Sequence, residues 1–203
     1  MRVPGGATCA TVALLAVRAT GAGAQVVEVL TLRDGEATFH IRATIVSDFT
    51  GHAAVSRAEY TGPDLAHLRG FVEVRVADMR TGVGLRDRHL RTTMAADSFP
   101  LLHFELANVE PGGVHGDTVA AVFVGRLTIH GVARDVRVPG SVLVGPGRAE
   151  VWAGFPLDMR DYGIKPPVKM LGTLRVAPDV EVGIHLVFGG TPAHAPAPTA
   201  PAH

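Results

Sequence analysis

Residues 79–94 have the sequence MRTGVGLRDRHLRTTM, and they interrupt a chain that is otherwise patterned as β-strands. Just before them, residues 70–76 alternate apolar and charged side chains, which is the period-two signature of a half-buried strand. Gly82 and Gly84 then supply the torsional freedom for a reversal. The strand period resumes after Pro100. We therefore predict a short helical insertion between two strands.

Within this insertion, Asp87 stands where its carboxylate could accept the exposed amides of a first helical turn. We predict that the helix runs from Arg88. Leu90 and Met94, four residues apart, then share one face of it.

Alternation of apolar and polar residues recurs between positions 33 and 188, separated by turns rich in Gly, Pro and Asp. Many short strands of this kind predict an antiparallel sandwich or barrel, and periodicity alone does not separate the two. Four histidines fall on the polar faces of these strands, where we expect solvated imidazoles: His40, His103, His130 and His185.

Four segments occur in a recognisable order: LRDRHL at 85–90, FPLLHF at 99–104, GRLTIHGV at 125–132 and RDYGI at 160–164. Together they resemble the YceI-like family of bacterial polyisoprenoid-binding proteins, over roughly residues 33–188. The resemblance implies an all-β fold, a lipocalin-like antiparallel eight-stranded β-barrel with a short helical insertion. One departure is the segment 92–97. The family usually carries an aromatic and acidic segment there, whereas this one is short and has no aromatic residue, so we expect few ligand contacts from it.

A barrel of about eight strands is either just filled by its own side chains or holds one small ligand. Aromatic residues make up 5% of the chain and the strand interiors are rich in small residues, so both outcomes stay open. If the barrel holds a ligand, we predict that its apolar lining includes twelve residues: Phe39, Ile41, Val72, Val74, Phe104, Leu127, Ile129, Phe155, Leu157, Ile164, Ile184 and Leu186.

Polar residues of the matching segments form a second candidate group, at the rim of the barrel: Arg86, Asp87, His89, Asp161 and Tyr162. One interpretation is a rim that meets the head group of a ligand. The alternative is structural: Asp87 caps the helix, and Arg86 or Arg88 pairs with a carboxylate to hold it.

Residues 161–167 contain two successive prolines, which cannot continue a central strand. We predict a rigid loop at the barrel edge, either part of the entrance through Tyr162 and Ile164 or a plug. Trp152 is predicted to face outward, where it marks a partner or membrane contact or covers the helix.

Residues 1–24 have the features of a secretory signal, with Arg2, a short apolar run and a small-residue cleavage site before Gln25. The only cysteine, Cys9, lies in this segment, so we expect no disulfide and no transmembrane segment in the mature chain. The barrel domain is predicted over residues 25–188. Residues 189–203 form a Pro/Ala-rich tail with little to bury, predicted to be disordered.

Composition argues against several classes of protein. Removing residues 1–24 takes away two of the 19 Lys and Arg against 19 Asp and Glu, which leaves a net charge of −2 and offers no electrostatic basis for nucleic-acid binding. Zinc, nucleophile-elbow and phosphate-loop motifs are absent from the sequence, so we expect no metal and no cofactor beyond a bound apolar lipid.

We therefore expect a non-enzymatic, periplasmic or secreted protein that sequesters or carries a polyisoprenoid or isoprenoid quinone. Its partner is an apolar small-molecule lipid. The sequence does not decide whether the protein forms a homodimer. Alternatives are a fatty acid or fatty amide binding protein, a ligand-free stress-related interaction module, and, less favoured, a periplasmic lipid-modifying enzyme with His89 and Asp87 as acid and base.

Overall fold

The computed structural model describes residues 29–44, 47–62, 64–145, 148–169 and 174–190. The predicted secretory signal, residues 1–24, lies outside the described residues. The first two residues of the predicted tail, Gly189 and Gly190, are the last residues of a strand, and the rest of that tail lies outside the described residues as well.

The described chain is almost entirely β-strand. The strands are β1 (Val29–Ala43), β2 (Phe49–Thr61), β3 (Arg69–Arg75), β4 (Leu101–His115), β5 (Thr118–Ile129), β6 (Val132–Gly145), β7 (Arg148–Asp158), β8 (Val168–Lys169) and β9 (Leu174–Gly190). The helix α1 (Gly84–Thr93) and a 3-10 turn (Val76–Asp78) connect β3 to β4, and a second 3-10 turn (Met159–Tyr162) follows β7.

Each of the strands β1 to β7 pairs antiparallel with the next, β7 pairs with β9, and β9 pairs with β1. Eight strands thus close into a barrel, which removes unpaired edges. The two-residue strand β8 pairs with the start of β9. The predicted eight-stranded antiparallel barrel with one short helical insertion is confirmed.

The helix begins earlier than the sequence pattern predicts. Its first residue is Gly84 and its N-cap is Val83, which makes no side-chain capping bond. Asp87 lies inside the first turn, so the prediction of a helix from Arg88 capped by Asp87 is wrong. Met94, at the C-cap, is buried.

The connection between β5 and β6 has only two residues, His130 and Gly131, with φ angles of 52° and 75°. Both are in the left-handed region that a two-residue hairpin with a type I′ turn requires. His130 is therefore a turn residue, and the prediction that it lies on the polar face of a strand is wrong. Its ring packs against Phe99, with ring centres 4.6 Å apart.

The two ends of the barrel differ. At the end of the barrel where β3 finishes and β4 begins, α1 and the loop after β7 lie across the end of the barrel. Toward the other end the interior is packed, and its side chains are almost completely buried: Leu106, Val109, Leu186 and Phe188. Within the described residues no helix is both long and apolar enough to cross a membrane.

Candidate functional site

The interior of the barrel holds a cavity of about 1130 Å³. Ligand pockets in proteins usually measure about 300–1,000 Å³, so this one suits a ligand larger than most. The space exists because many inward positions carry small side chains, among them Ala37, Ala53, Ala153, Val138 and Val182. The barrel is hollow, which composition alone left open.

All twelve residues predicted as apolar lining lie on the wall of this cavity: Phe39, Ile41, Val72, Val74, Phe104, Leu127, Ile129, Phe155, Leu157, Ile164, Ile184 and Leu186. Strand alternation assigned eleven of these side chains to the inner face of the sheet, and Ile164 reaches the cavity from the loop after β7. That they contact a ligand stays a prediction.

The mouth of the cavity lies beside α1. Val83, Leu85 and Val168 line the cavity although about half of each side chain or more is exposed to solvent, at 47%, 60% and 54%. Exposed apolar side chains at the edge of an apolar cavity are typical of a ligand entrance. We call this opening, bounded by α1 and residues 163–168, the mouth.

Two of the residues predicted for the rim are at the mouth, Arg86 and His89, together with Lys165. Among the described residues neither Arg86 nor Arg88 pairs with a carboxylate, contrary to the structural alternative. The guanidinium carbon of Arg86 lies 4.0 Å from the centre of the Phe49 ring, a cation–π contact. No aspartate or glutamate occurs among the described residues that line the cavity. The described mouth is therefore apolar with a positive fringe.

Asp87 has a structural position away from the cavity wall. Its carboxylate accepts hydrogen bonds from the backbone amide and the hydroxyl of Thr81, at 2.7 and 2.6 Å. The hydroxyl of Thr81 holds the pKa of this carboxyl below its usual value, with the backbone amide and the charges of Arg80 and Arg91 adding to the effect. Since His89 lines the cavity and Asp87 does not, the two do not present an acid and a base to one ligand.

The remaining rim predictions also fall outside the cavity wall. Tyr162 is buried, with 4% exposed, and it does not line the cavity. Asp161 is exposed and pairs with Arg134, which bonds to its backbone carbonyl at 2.9 Å. The interpretation of Tyr162 as part of the entrance is therefore wrong, whereas Ile164 and the four residues after it do line the cavity.

Trp152 lies on the outer face of the barrel, as predicted, and is 37% exposed. Its ring stacks on His185 of β9, with centres 5.2 Å apart and planes 11° apart. The ring partner is therefore a neighbouring strand residue, and the interpretation of Trp152 as a cover for the helix is wrong.

Sequence reasoning missed several residues of the cavity wall. Thr92, Thr93, Met94 and Ala95 line it, although their segment was expected to make few ligand contacts. Val176 lines it too, from the irregular start of β9. The helical spacing of Leu90 and Met94 was the one available signal, since it shows a helix face turned toward the barrel.

Tyr60, near the end of β2, also lines the cavity and was missed. Its ring packs edge-on against Phe188, with ring centres 5.1 Å apart. Phe188 is 1% exposed and belongs to the packed end of the barrel, so Tyr60 forms the floor of the cavity. Alternation along β2 predicts an inward Tyr60 only if the bulge near Arg57 is known, because it shifts the pairing register with β3.

A family model described as a YceI-like domain matches residues 29–188 of this chain. A comparison with curated proteins gave no match.

Solved structures share the fold. A polyisoprenoid binding domain from Saccharophagus degradans, implicated in plant cell wall breakdown, has a TM-score of 0.64 at 13% identity, covering 80% of this chain and 98% of that one. BcnA from Burkholderia cenocepacia has a TM-score of 0.60 at 18% identity, covering 75% and 95%. The Campylobacter jejuni YCEI protein has a TM-score of 0.54 at 16% identity, covering 72% and 86%.

Proposed function

Because this chain belongs to the YceI-like domain family, we propose that it is a binding protein that holds one long apolar molecule, of the polyisoprenoid or isoprenoid-quinone class, inside its barrel. The observation that carries the proposal is the cavity of about 1130 Å³ with an almost wholly apolar wall. One of the structures that shares the fold is a polyisoprenoid binding domain, which supports the ligand class.

The shape of the cavity suits a chain-like ligand. On β9 its wall runs from Val176 to Leu186, which is about 33 Å at about 3.3 Å per residue of strand. With the strand tilt of about 40° that is usual in barrels, the cavity is roughly 25 Å long. Dividing the volume by this length leaves an average cross-section of about 45 Å², enough for a single branched hydrocarbon chain.

Affinity for such a ligand comes from removing hydrocarbon from water. Each methylene group that leaves water contributes about 0.8 kcal/mol, so a chain of several isoprene units supplies enough free energy without any charged contact. Binding of this kind needs no catalytic group. We therefore propose a carrier or sequestering protein with no enzymatic activity.

We further propose that the protein works outside the cytoplasm, in the periplasm or as a secreted protein. The support is in the sequence, where residues 1–24 combine a positive residue, a short apolar run and a small-residue cleavage site. In that compartment, a protein that carries apolar molecules would move or store lipids that do not cross water unaided.

The test is to purify the protein from a bacterial host, record its mass under native conditions, and identify extracted lipids. A bound isoprenoid supports the proposal. If the bound lipid is a fatty acid or a fatty amide, the proposed ligand class is wrong. A protein that stays empty when offered isoprenoids in detergent contradicts the proposal as a whole.

Two neighbouring alanines of β2 offer a matched pair of variants. Ala53 is 3% exposed and lines the cavity, whereas Ala54 is exposed on the outer face. We expect Ala53→Phe to fill part of the cavity and to lower lipid retention roughly tenfold or more, since a cost of about 1.4 kcal/mol has that effect. Ala54→Phe should retain lipid like the native protein. Equal retention in both variants would place the lipid elsewhere.

A further inference from the structure

Tyr60 contributes an unusual polar group to the cavity floor. The residue is only 7% exposed, and burial alone raises the pKa of its phenol. Within the described part of the chain its hydroxyl makes no hydrogen bond, and burial is the only cause of its pKa shift. The hydroxyl therefore stays protonated and is a free hydrogen-bond donor.

The hydroxyl is not sealed inside the protein. Among the described residues, one side-chain polar atom is enclosed without a hydrogen bond of good geometry: Nε2 of His185 on the outer face of the barrel, which lies 3.5 Å from Oε2 of Glu150. Tyr60 makes no hydrogen bond among the described residues and its hydroxyl is not enclosed in this way, so the oxygen is accessible, and the residue lines the cavity. Buried hydroxyls in native proteins almost always have a partner, so an unpaired one on a cavity wall needs an explanation.

The other polar side chains on the described wall differ from Tyr60. The hydroxyl of Thr38 is bonded to the carbonyl oxygen of Gly183 at 3.4 Å. The remaining ones belong to α1 and its flanks, to the β5–β6 turn or to the loop after β7, all at the mouth: Thr81, Arg86, His89, Thr92, Thr93, His130 and Lys165. Below the mouth, the described wall thus presents one unused polar group.

The floor is far from the charges of the mouth. Phe49 begins β2 beside Arg86, and Tyr60 follows eleven residues later, about 36 Å along the strand at about 3.3 Å per residue. A carboxylate or phosphate at the floor would lose its hydration with no described cation on the nearby wall to compensate. An uncharged oxygen avoids this cost and still accepts a hydrogen bond.

We propose that the ligand binds with an uncharged oxygen at its inner end, such as a quinone, ketone or ester carbonyl, which accepts a hydrogen bond from the Tyr60 hydroxyl. The inference rests on the proposed function and adds the orientation and polar group of the ligand. The oxygen-bearing end lies at the floor, and the hydrocarbon chain runs outward between α1 and the loop after β7. Among isoprenoids, this arrangement favours quinones over acids and phosphates.

The test compares two probes and three proteins. The probes are a 1,4-benzoquinone with a three-isoprene tail and squalene, an isoprenoid hydrocarbon. The proteins are the native chain, Tyr60→Phe, and Tyr162→Phe as a matched control, because Tyr162 is the second of only two tyrosines, is buried and lies off the cavity wall. Dissociation constants are measured by titration of delipidated protein.

We expect Tyr60→Phe to weaken quinone binding about tenfold and to leave squalene binding unchanged or tighter. Tyr162→Phe should leave the ratio of the two affinities as in the native protein. Equal changes for both probes in Tyr60→Phe, or none, overturn the inference while the proposed function stands. If the native protein binds neither probe, the proposed function itself fails.

Infrared spectra keep the inference testable if Tyr60→Phe does not fold. The carbonyl stretch of the quinone bound to the native protein should lie at lower frequency than in a hydrocarbon solvent, because a hydrogen bond weakens the carbonyl bond. A bound quinone with a stretch unchanged from hydrocarbon overturns the inference.

Discussion

The carboxylate of Asp87 accepts two hydrogen bonds from Thr81, one from its backbone amide and one from its hydroxyl, at 2.7 and 2.6 Å. Thr81 precedes α1, and Asp87 lies in the first turn of α1. Arg80, next to Thr81, forms a bridge with His52 of β2. This relationship ties the start of the helix to the barrel wall and so holds one side of the mouth in place.

We expect Asp87→Asn to destabilise the protein by about 1–3 kcal/mol, because hydrogen bonds to a charged group contribute more than neutral ones and the amide of Thr81 loses its ionic acceptor. Asp97→Asn is the control, since Asp97 is exposed after the helix. Urea denaturation measures both. If the two variants match, Asp87 has no such anchoring role.

The same bond predicts a pH dependence. The pKa of Asp87 is lowered in the folded protein below its usual value of 3.8, so its contribution is fully present above that value and is lost as the pH falls through the lowered pKa. The difference in melting temperature between the native protein and Asp87→Asn should be constant from about pH 7 to 5 and shrink below about pH 4. A constant difference down to about pH 2 would contradict this.

Ile184→Asp should abolish lipid retention or folding. Ile184 lines the cavity, and an unpaired carboxylate on this apolar wall costs several kcal/mol out of the roughly 5–15 kcal/mol of a typical domain. Val144→Asp is the control, since Val144 is 59% exposed. Circular dichroism and lipid extraction compare the two, and normal lipid yield from Ile184→Asp would show that the lipid does not use this wall.

Gly51→Ala should destabilise the fold by about 1–3 kcal/mol through overpacking. A Cβ at Gly51 would overlap the ring of Phe39 and lie 2.8 Å from the carbonyl oxygen of Arg80. Gly154→Ala is the control, because the nearest atom to a Cβ there, the carbonyl oxygen of Val182, is 3.4 Å away. Thermal melts distinguish them, and a neutral Gly51→Ala would mean that the Phe39 ring and the Arg80 backbone both shift without cost.

We expect the mature protein to begin at or near Gln25, because the small residues before it fit a signal-peptidase site. N-terminal sequencing of the periplasmic or culture fraction measures this. An intact Met1 on cytoplasmic protein would contradict export.

Alternation along the strands was enough to assign inner and outer faces where no bulge interrupts the strand. Side chains of a strand point alternately to opposite faces, so Ile184 and His185 must separate whatever the partner strand is. A local rule of period two needs no knowledge of distant contacts. The order of four segments in the sequence then decided for a barrel, which periodicity had left open.

Two features depended on contacts that the spacing of neighbouring side chains does not reveal. Local spacing predicts that Asp87 caps the helix. Its carboxylate instead binds Thr81, which is held near it because the neighbouring Arg80 forms a bridge with β2. His130 reads as a strand residue, yet the tight pairing of β5 with β6 makes it a turn residue.

The sequence by itself determined the strand pattern, the inward direction of the eleven predicted lining residues that lie on strands, and the presence of the helical insertion, because each of these follows from the spacing of neighbouring side chains. Only the tertiary structure decided that the barrel is hollow and that Tyr60 meets Phe188 at its floor. The volume of the cavity is what remains after side chains from eight strands have packed across the barrel, and no local pattern contains that difference.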